Sequence, residues 1–353
     1  MNRILLITST ALLGWTSFVS GQTTSSTPPI GFIRKDCPAN SDTRISIPLE
    51  RSAVFMGPLV TITGDTLTVE GSPAWTTNQF KYVATGEAPQ LEHYYVLFLT
   101  GTHAGRQFDI LENETNTLKL DLGAANLTGV VAGDRIKLLP HWTLDAAFPD
   151  GDGVVASTFF ETQTELLVQD TTTKGINLGP VQAFYFHDDW KDPNTAGNSG
   201  TTVIPTHRPL LVRNRDTATS AVFVGVVPSD TQAVPIRVPA GTGQQDNFVA
   251  LNRPVPVKLR DSGLDSVISP SISFLSIDDE ILVYDEEQTE INKSPKFTYY
   301  RDTGGTWRNF DDLESDAGDV EIFTPGTGVI IRKTGTGGTE EQTIYWTHTD
   351  PTQ

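Results

Sequence analysis

The stretch Glu165-Leu-Leu-Val-Gln-Asp170 returns as Glu280-Ile-Leu-Val-Tyr-Asp285, 115 residues further along the chain. Each copy is an acidic residue, three aliphatic residues and a closing Asp. That is the length and composition of a buried strand and too short for an ordinary helix. The same offset of 115 aligns Leu144 with Leu259, Ile176-Asn177 with Ile291-Asn292, and Phe184-Tyr185 with Tyr299-Tyr300. Trp190 and Trp307 align at an offset of 117, and Leu210-Leu-Val-Arg213 and Val329-Ile-Ile-Arg332 at 119. Short loop insertions leave this kind of drift. Ordered matches of mixed chemistry at a nearly fixed spacing are the signature of a repeated unit. The spacing predicts two copies of one β module, at about 142–214 and 257–333. In each, Asn177 or Asn292 is expected in a turn, through side-chain bonds to the backbone or a left-handed conformation.

The rest of the chain also reads as strands. Beyond the first twenty residues, no segment longer than about ten residues keeps a 3.6-residue apolar period. Val60-Thr-Ile62-Thr-Gly64-Asp65-Thr-Leu67-Thr-Val69 is two alternating strands around a Gly-Asp turn, a strong hairpin signal. His93–Thr100, Leu118–Leu122 and Arg135–Leu139 follow as further strands between Gly, Asn and Asp turns. Asp42-Thr-Arg-Ile-Ser-Ile-Pro48 and Asp246-Asn-Phe-Val-Ala-Leu-Asn252 look alike and would open each module, which would make 56–140 an insertion in the first copy. The expected fold is all-β: tandem, duplicated β-sandwich-like modules with an additional small β-barrel-like or sandwich domain near the N-terminus. The expected organisation is a leader at 1–21, a linker at 22–39, an N-terminal β domain at 40–140, modules at 141–240 and 241–335, and a tail at 336–353.

The leader is read from Met1-Asn-Arg3, an apolar run from Ile4 to Val19, and the small residues Val19-Ser20-Gly21. This is the pattern of a secretory signal cleaved after Gly21, and a Thr/Ser/Pro-rich stretch from Gln22 to Pro29 follows it. The apolar run is too short and too broken by Thr, Ser and Gly for a membrane anchor, so no transmembrane anchor is expected in the mature chain. Export to the surface, the periplasm or the medium is the expected localisation. The 353 residues carry 25 Lys and Arg against 43 Asp and Glu, a formal net charge of −18, which argues against nucleic acid or an anionic membrane as partner. The single Cys37 excludes an internal disulfide framework and leaves that residue as a candidate for a disulfide between chains.

Ser41-Asp-Thr-Arg-Ile-Ser-Ile-Pro-Leu, Trp142-Thr-Leu-Asp-Ala-Ala-Phe-Pro149, Asn292-Lys-Ser with Tyr299-Tyr300 and Trp307-Arg308, and Pro325-Gly-Thr-Gly-Val-Ile-Ile-Arg-Lys333 carry a resemblance. In combination they resemble a secreted, uncharacterised paralogous family of Verrucomicrobia, over nearly the whole mature chain. The resemblance implies export and expansion within single genomes, and transfers no activity. Pro140-His141-Trp142 and the acidic stretch at Asp311-Asp312 stand out as departures from the family pattern.

The chain offers little catalytic signal. It has no nucleophile elbow, no H-E-x-x-H pair and no phosphate-binding loop, and its six histidines are scattered. Calcium is the one cofactor left open, at Asp150 and Asp152, against the plainer reading of a solvated acidic turn. Tyr94, Tyr95, Tyr185, Trp190, Tyr299, Tyr300 and Trp307 could stack on sugars, against the plainer reading of core aromatics. In adjacent pairs one neighbour is expected to face outward. The expected function is a secreted non-catalytic β protein for structure, display or self-assembly at the cell surface or in the extracellular matrix, whose partners are its own copies or other extracellular proteins. The alternative is carbohydrate binding, with a polysaccharide-degrading enzyme behind it.

Overall fold

The computed structural model describes residues 28–158, 161–195 and 197–349. The leader expected at 1–21 lies outside the described residues, as do residues 22–27 and 350–353. The described chain is built from strands. β1 (Ile30–Cys37) and β2 (Ser41–Ile45) come first. Six strands follow: β3 (Phe55–Thr63), β4 (Thr66–Val69), β5 (Tyr94–Phe98), β6 (Gln107–Asn113), β7 (Thr117–Asp121) and β8 (Arg135–Pro140). Next are β9 (Trp142–Thr143), the helical turn α1 (Leu144–Ala147), β10 (Thr164–Gln169), β11 (Pro180–His187), β12 (Asp189–Lys191), β13 (Val203–Ile204), β14 (Leu210–Asn214) and β15 (Thr219–Val226). The last nine are β16 (Gln232–Val238), β17 (Gln244–Val249), β18 (Val257–Lys258), β19 (Glu280–Val283), β20 (Phe297–Arg301), β21 (Trp307–Asn309), β22 (Glu321–Phe323), β23 (Val329–Thr334) and β24 (Gln342–His348).

Two five-stranded antiparallel sheets share one strand order. The first runs β12-β11-β10-β14-β2 and the second β21-β20-β19-β23-β17. Glu165 and Glu280 begin the central part of each, on β10 and β19. Each sheet is faced by a two-stranded ribbon, β1·β15 in the first half and β16·β24 in the second. Short pairs β9·β13 and β18·β22 complete the set. Alternation then places every second residue inward. Leu166, Val212, Phe184 and Trp190 of the first sheet meet Ala221 and Phe223 of its ribbon in one core. Ile281, Ile331, Tyr299 and Trp307 of the second meet Val234, Ile236 and Trp346 in another.

Strands β3 to β8 close into a six-stranded barrel in the order β3-β4-β7-β6-β5-β8. The expected hairpin forms, with Gly64 at φ +62 turning β3 into β4. Leu67, Val96, Phe98, Leu118, Leu120 and Ile136 fill the interior. An edge-to-face chain of Phe55, Trp75, Phe80 and Tyr94, with centroids 5.1–5.2 Å apart, adds a loop to that core. Outside the barrel, Tyr95, Leu97 and Leu139 are buried, so alternation identifies the face on which the barrel is covered by the rest of the molecule.

Three expected boundaries are corrected by these pairings, and a fourth is settled. Residues 30–37, read as linker, are β1, held along its length by β15. Residues 41–45, read either as part of the N-terminal domain or as the opening of the first module, lie in the first sheet beside β14, as the second of these readings expects. The barrel therefore sits between two segments of the first half. Residues 232–238, assigned to the first module, pair with β24 of the second half. Residues 342–348, read as tail, are β24 itself, with Trp346 fully buried.

The halves are joined by a reciprocal exchange. Arg213 on β14 clasps Asp42 on β2 through Nε (2.7 Å) and Nη2 (2.8 Å), and Nη2 also donates to Asn292 from the other half. Arg332 on β23 clasps Asp246 on β17 through Nε (2.7 Å) and Nη2 (3.1 Å), and Nη2 donates to Asn177 from the first half. The Asn292 N–H donates to Asp42 Oδ2 and the Asn177 N–H to Asp246 Oδ2. Both asparagines are left-handed, φ +58 and +55, a conformation that Asn tolerates better than most residues. The barrel is tied on by buried Lys137 of β8, whose Nζ donates to Glu50 (2.7 Å) and to Asp230.

Candidate functional site

Two places on the molecule are candidates for a functional site. The first is a cavity of about 310 Å³ where the barrel, the first half and the second half meet. β6 contributes Gln107 and Asp109, and the β13–β14 connection contributes Pro205, Thr206, His207 and Arg208. Val234 and Pro235 of β16, Phe248 of β17 and Tyr345 of β24 form the second-half wall.

His141 Nε2 lies 2.8 Å from Asp109 Oδ1, which fixes the imidazole while the carboxylate stays exposed. Buried Tyr95 packs on that imidazole at 4.4 Å between ring centroids. His207 is left-handed, φ +61, and the following Pro209 fixes the exit of the chain. Its Nε2 stands 3.1 Å from the Gln107 amide nitrogen, which donates to it. Burial, with Arg253 and Arg208 nearby, pushes the His207 imidazole down to about 4, so it is neutral at ordinary pH.

Arg208 is a further lining residue of this cavity. It also lines an adjoining recess of about 180 Å³ with Thr171, Arg237 and Thr343. Its Nη1 donates to Thr171 Oγ1 at 2.7 Å. Burial and then the neighbouring Arg237 charge lower its pKa. Four other partly buried guanidiniums face carboxylates, Arg44 with Glu286, Arg213 with Asp42, Arg237 with Glu341 and Arg332 with Asp246, while buried Arg253 donates to the Pro228 and Asp230 carbonyls and Arg106 lies over the Tyr345 ring. Among the described residues no carboxylate forms an ion pair with Arg208.

The second place is the outward face of the β1·β15 ribbon. Ile30 is 65% exposed and Phe32 71%, beside Val222 at 49% and Val224 at 58%. The register sets Phe32 directly across from Val224 and Arg34 across from Val222. β1 has β15 as its partner strand on one side only.

The residues singled out from sequence are spread over the fold. Tyr95, Trp190, Tyr299, Tyr300 and Trp307 are buried and offer no face to a sugar ring. The expectation that one residue of Tyr299-Tyr300 faces out is corrected, because both faces of β20 are covered there. Tyr94 and Tyr185 are half-buried on separate units, β5 and β11. Asp150 and Asp152 are exposed, and among the described residues no group of three or more His, Cys, Asp or Glu is placed to hold a metal. Cys37 is 1% exposed in the first core, with its thiol pushed up to about 11 by burial, so it cannot reach another chain while the fold is intact. The cavity residues Gln107, Asp109, His207 and Arg208 were not singled out by sequence, and His141 only as part of Pro140-His141-Trp142. No protein-family model, curated protein or solved structure matches the chain.

Proposed function

We propose that this is an exported, non-catalytic display protein of the cell surface or extracellular matrix, made of two copies of one β module, that assembles with further copies of itself through β1. The observation that carries this reading is the apolar outward face of an unpaired edge strand: Ile30 and Phe32, flanked by Val222 and Val224. A long edge with an apolar face is a template for another strand, and natural proteins protect such edges unless they are used. A second copy of the same strand is the occupant best suited to it. Antiparallel β1 against β1 would continue each ribbon into a four-stranded sheet about a twofold axis, an isologous contact. The leader and the resemblance to a secreted Verrucomicrobia family support export. Burial of five of the seven candidate aromatics weakens a glycan-stacking role.

The test is light scattering after size exclusion on the chain from Gln22. The expected result is a dimer or larger species, reduced to monomer by Phe32→Lys and unchanged by Thr343→Lys on the other ribbon. A monomer at every concentration, or an oligomer insensitive to Phe32→Lys, overturns the reading.

A further inference from the structure

We infer that the cavity between the barrel and the two halves binds a small hydroxylated carboxylate, a sugar acid in chemical class, with Arg208 as its anchor. This goes beyond assembly and does not depend on it. In a chain of net charge −18, carboxylates are abundant, and Arg44, Arg213, Arg237 and Arg332 each have one. Arg208 has instead the neutral hydroxyl of Thr171, and the charge beside it is another guanidinium, Arg237. Burying a cation without a counter-charge is unfavourable, and a ligand carboxylate would relieve that cost. Guanidinium against carboxylate can be bidentate, so it also fixes the orientation of the ligand.

The remaining walls define the rest of the ligand. Phe248, Pro205, Pro235 and Val234 are apolar surfaces suited to the carbon faces of a ring. On the same lining, Asp109 presents an exposed carboxylate, held by His141 at 2.8 Å. A carboxylate there accepts from hydroxyls and repels a second anion. It therefore favours a ligand that carries hydroxyls and a single carboxylate. A volume of about 310 Å³ lies at the small end of ligand sites, the size of one sugar ring. All three units contribute, so a bound ligand would also cross-link them.

The experiment is isothermal titration of the chain from Gln22 with glucuronate, with glucose as the neutral ring and acetate as the bare carboxylate. Glucuronate is expected to bind at least about tenfold tighter than either. Arg208→Gln should weaken glucuronate by about tenfold or more, Arg208→Lys by less, and Arg260→Gln, far from the cavity, not at all. Asp109→Asn should narrow the gap between glucuronate and acetate. Circular dichroism and melting of each variant separate loss of the site from loss of the fold, and Arg208→Lys keeps the test open if Arg208→Gln unfolds. No heat with glucuronate, equal binding of glucose, equal binding of acetate, or undiminished binding by folded Arg208→Gln would each overturn the assignment.

Discussion

The ribbons β1·β15 and β16·β24 occupy equivalent places in the strand order of the two halves, yet their outer surfaces differ. On the second ribbon, the barrel lies against β16, where the Ala233 N–H donates to the Gly105 carbonyl at 3.1 Å. Pro235 removes a donor from the same strand, Arg237 pairs with Glu341, and Arg106 lies 4.0 Å over the Tyr345 ring. Each of these is a known way of blunting a sheet edge. The first ribbon has Ile30, Phe32, Val222 and Val224 in the corresponding outward positions. One architecture thus carries one protected edge and one open edge. The cores do not explain the difference, since both ribbons bury their inner faces. Whatever maintains the open edge acts on the outside of the molecule.

The largest effect that would break the comparison lies where the halves exchange asparagines. Asp42→Ala and Asp246→Ala each remove a buried carboxylate that serves one guanidinium and one backbone N–H. Each should cost about 3–5 kcal/mol in urea unfolding, because the arginine loses its clasping carboxylate. The two losses should be unequal. Arg332 retains an ion pair with Glu280 at 3.4 Å, whereas Glu165, opposite Arg213 in the matching position, makes its ion pair with Arg215. Asp42→Ala should therefore be the more damaging. Equal losses would mean that the secondary carboxylate contributes nothing.

A somewhat smaller effect depends on pH. His207 has a folded pKa near 4 against an ordinary value of 6.5. A depressed histidine contributes stability that is present above about 6.5 and lost as pH falls through 4, since the unfolded chain takes up the proton first. The full swing is about 3 kcal/mol at roughly 1.4 kcal/mol per unit. His207→Asn keeps a residue that tolerates positive φ and should flatten the stability profile between pH 6.5 and 4. An unchanged profile would place the titration elsewhere. Smaller again is Gly105→Ala. At φ +85, a Cβ there would stand 2.6 Å from the Ala233 nitrogen, backbone that has little room to yield. The expected loss is about 1–3 kcal/mol, accompanied by faster hydrogen exchange along β16 as its cover loosens.

Much of this fold could be read from sequence because its signals are local. The repeated Glu-aliphatic-Asp phrase lies on the central strands, and the Gly64-Asp65 hairpin and Asn177 and Asn292 turns report short-range backbone chemistry. The two ribbons were harder. β1 puts Ile30, Phe32, Arg34 and Asp36 on one exposed face, next to a Thr/Ser/Pro run, so its pattern resembles a linker. β24 sets Ile344-Tyr-Trp346 between Gln342-Thr343 and Thr347-His348, so its average polarity resembles a tail. In both cases the partner strand, far away in sequence, decides the conformation. The cavity was illegible for a related reason. Gln107, Arg208 and Phe248 come from the barrel, the first half and the second half, and what marks Arg208 is a carboxylate that does not accompany it. Sequence shows residues but not which charges lack partners.

The smallest effect on stability is the sharpest test of the two edges. Phe32 is 71% exposed, so Phe32→Lys should change the unfolding free energy of the monomer by no more than about 0.5 kcal/mol. Measured where both proteins are monomeric, their denaturation curves should nearly coincide, while their behaviour at high concentration diverges. The transplant is equally informative. Thr343→Phe puts an aromatic on the outer face of β24, yet β16 beside it remains covered by the barrel and interrupted by Pro235. If an open edge is needed as well as an apolar face, Thr343→Phe leaves association unchanged. Should it create a new oligomer, apolar surface alone would be sufficient, and the absence of such residues on the second ribbon would itself be what keeps that edge solitary.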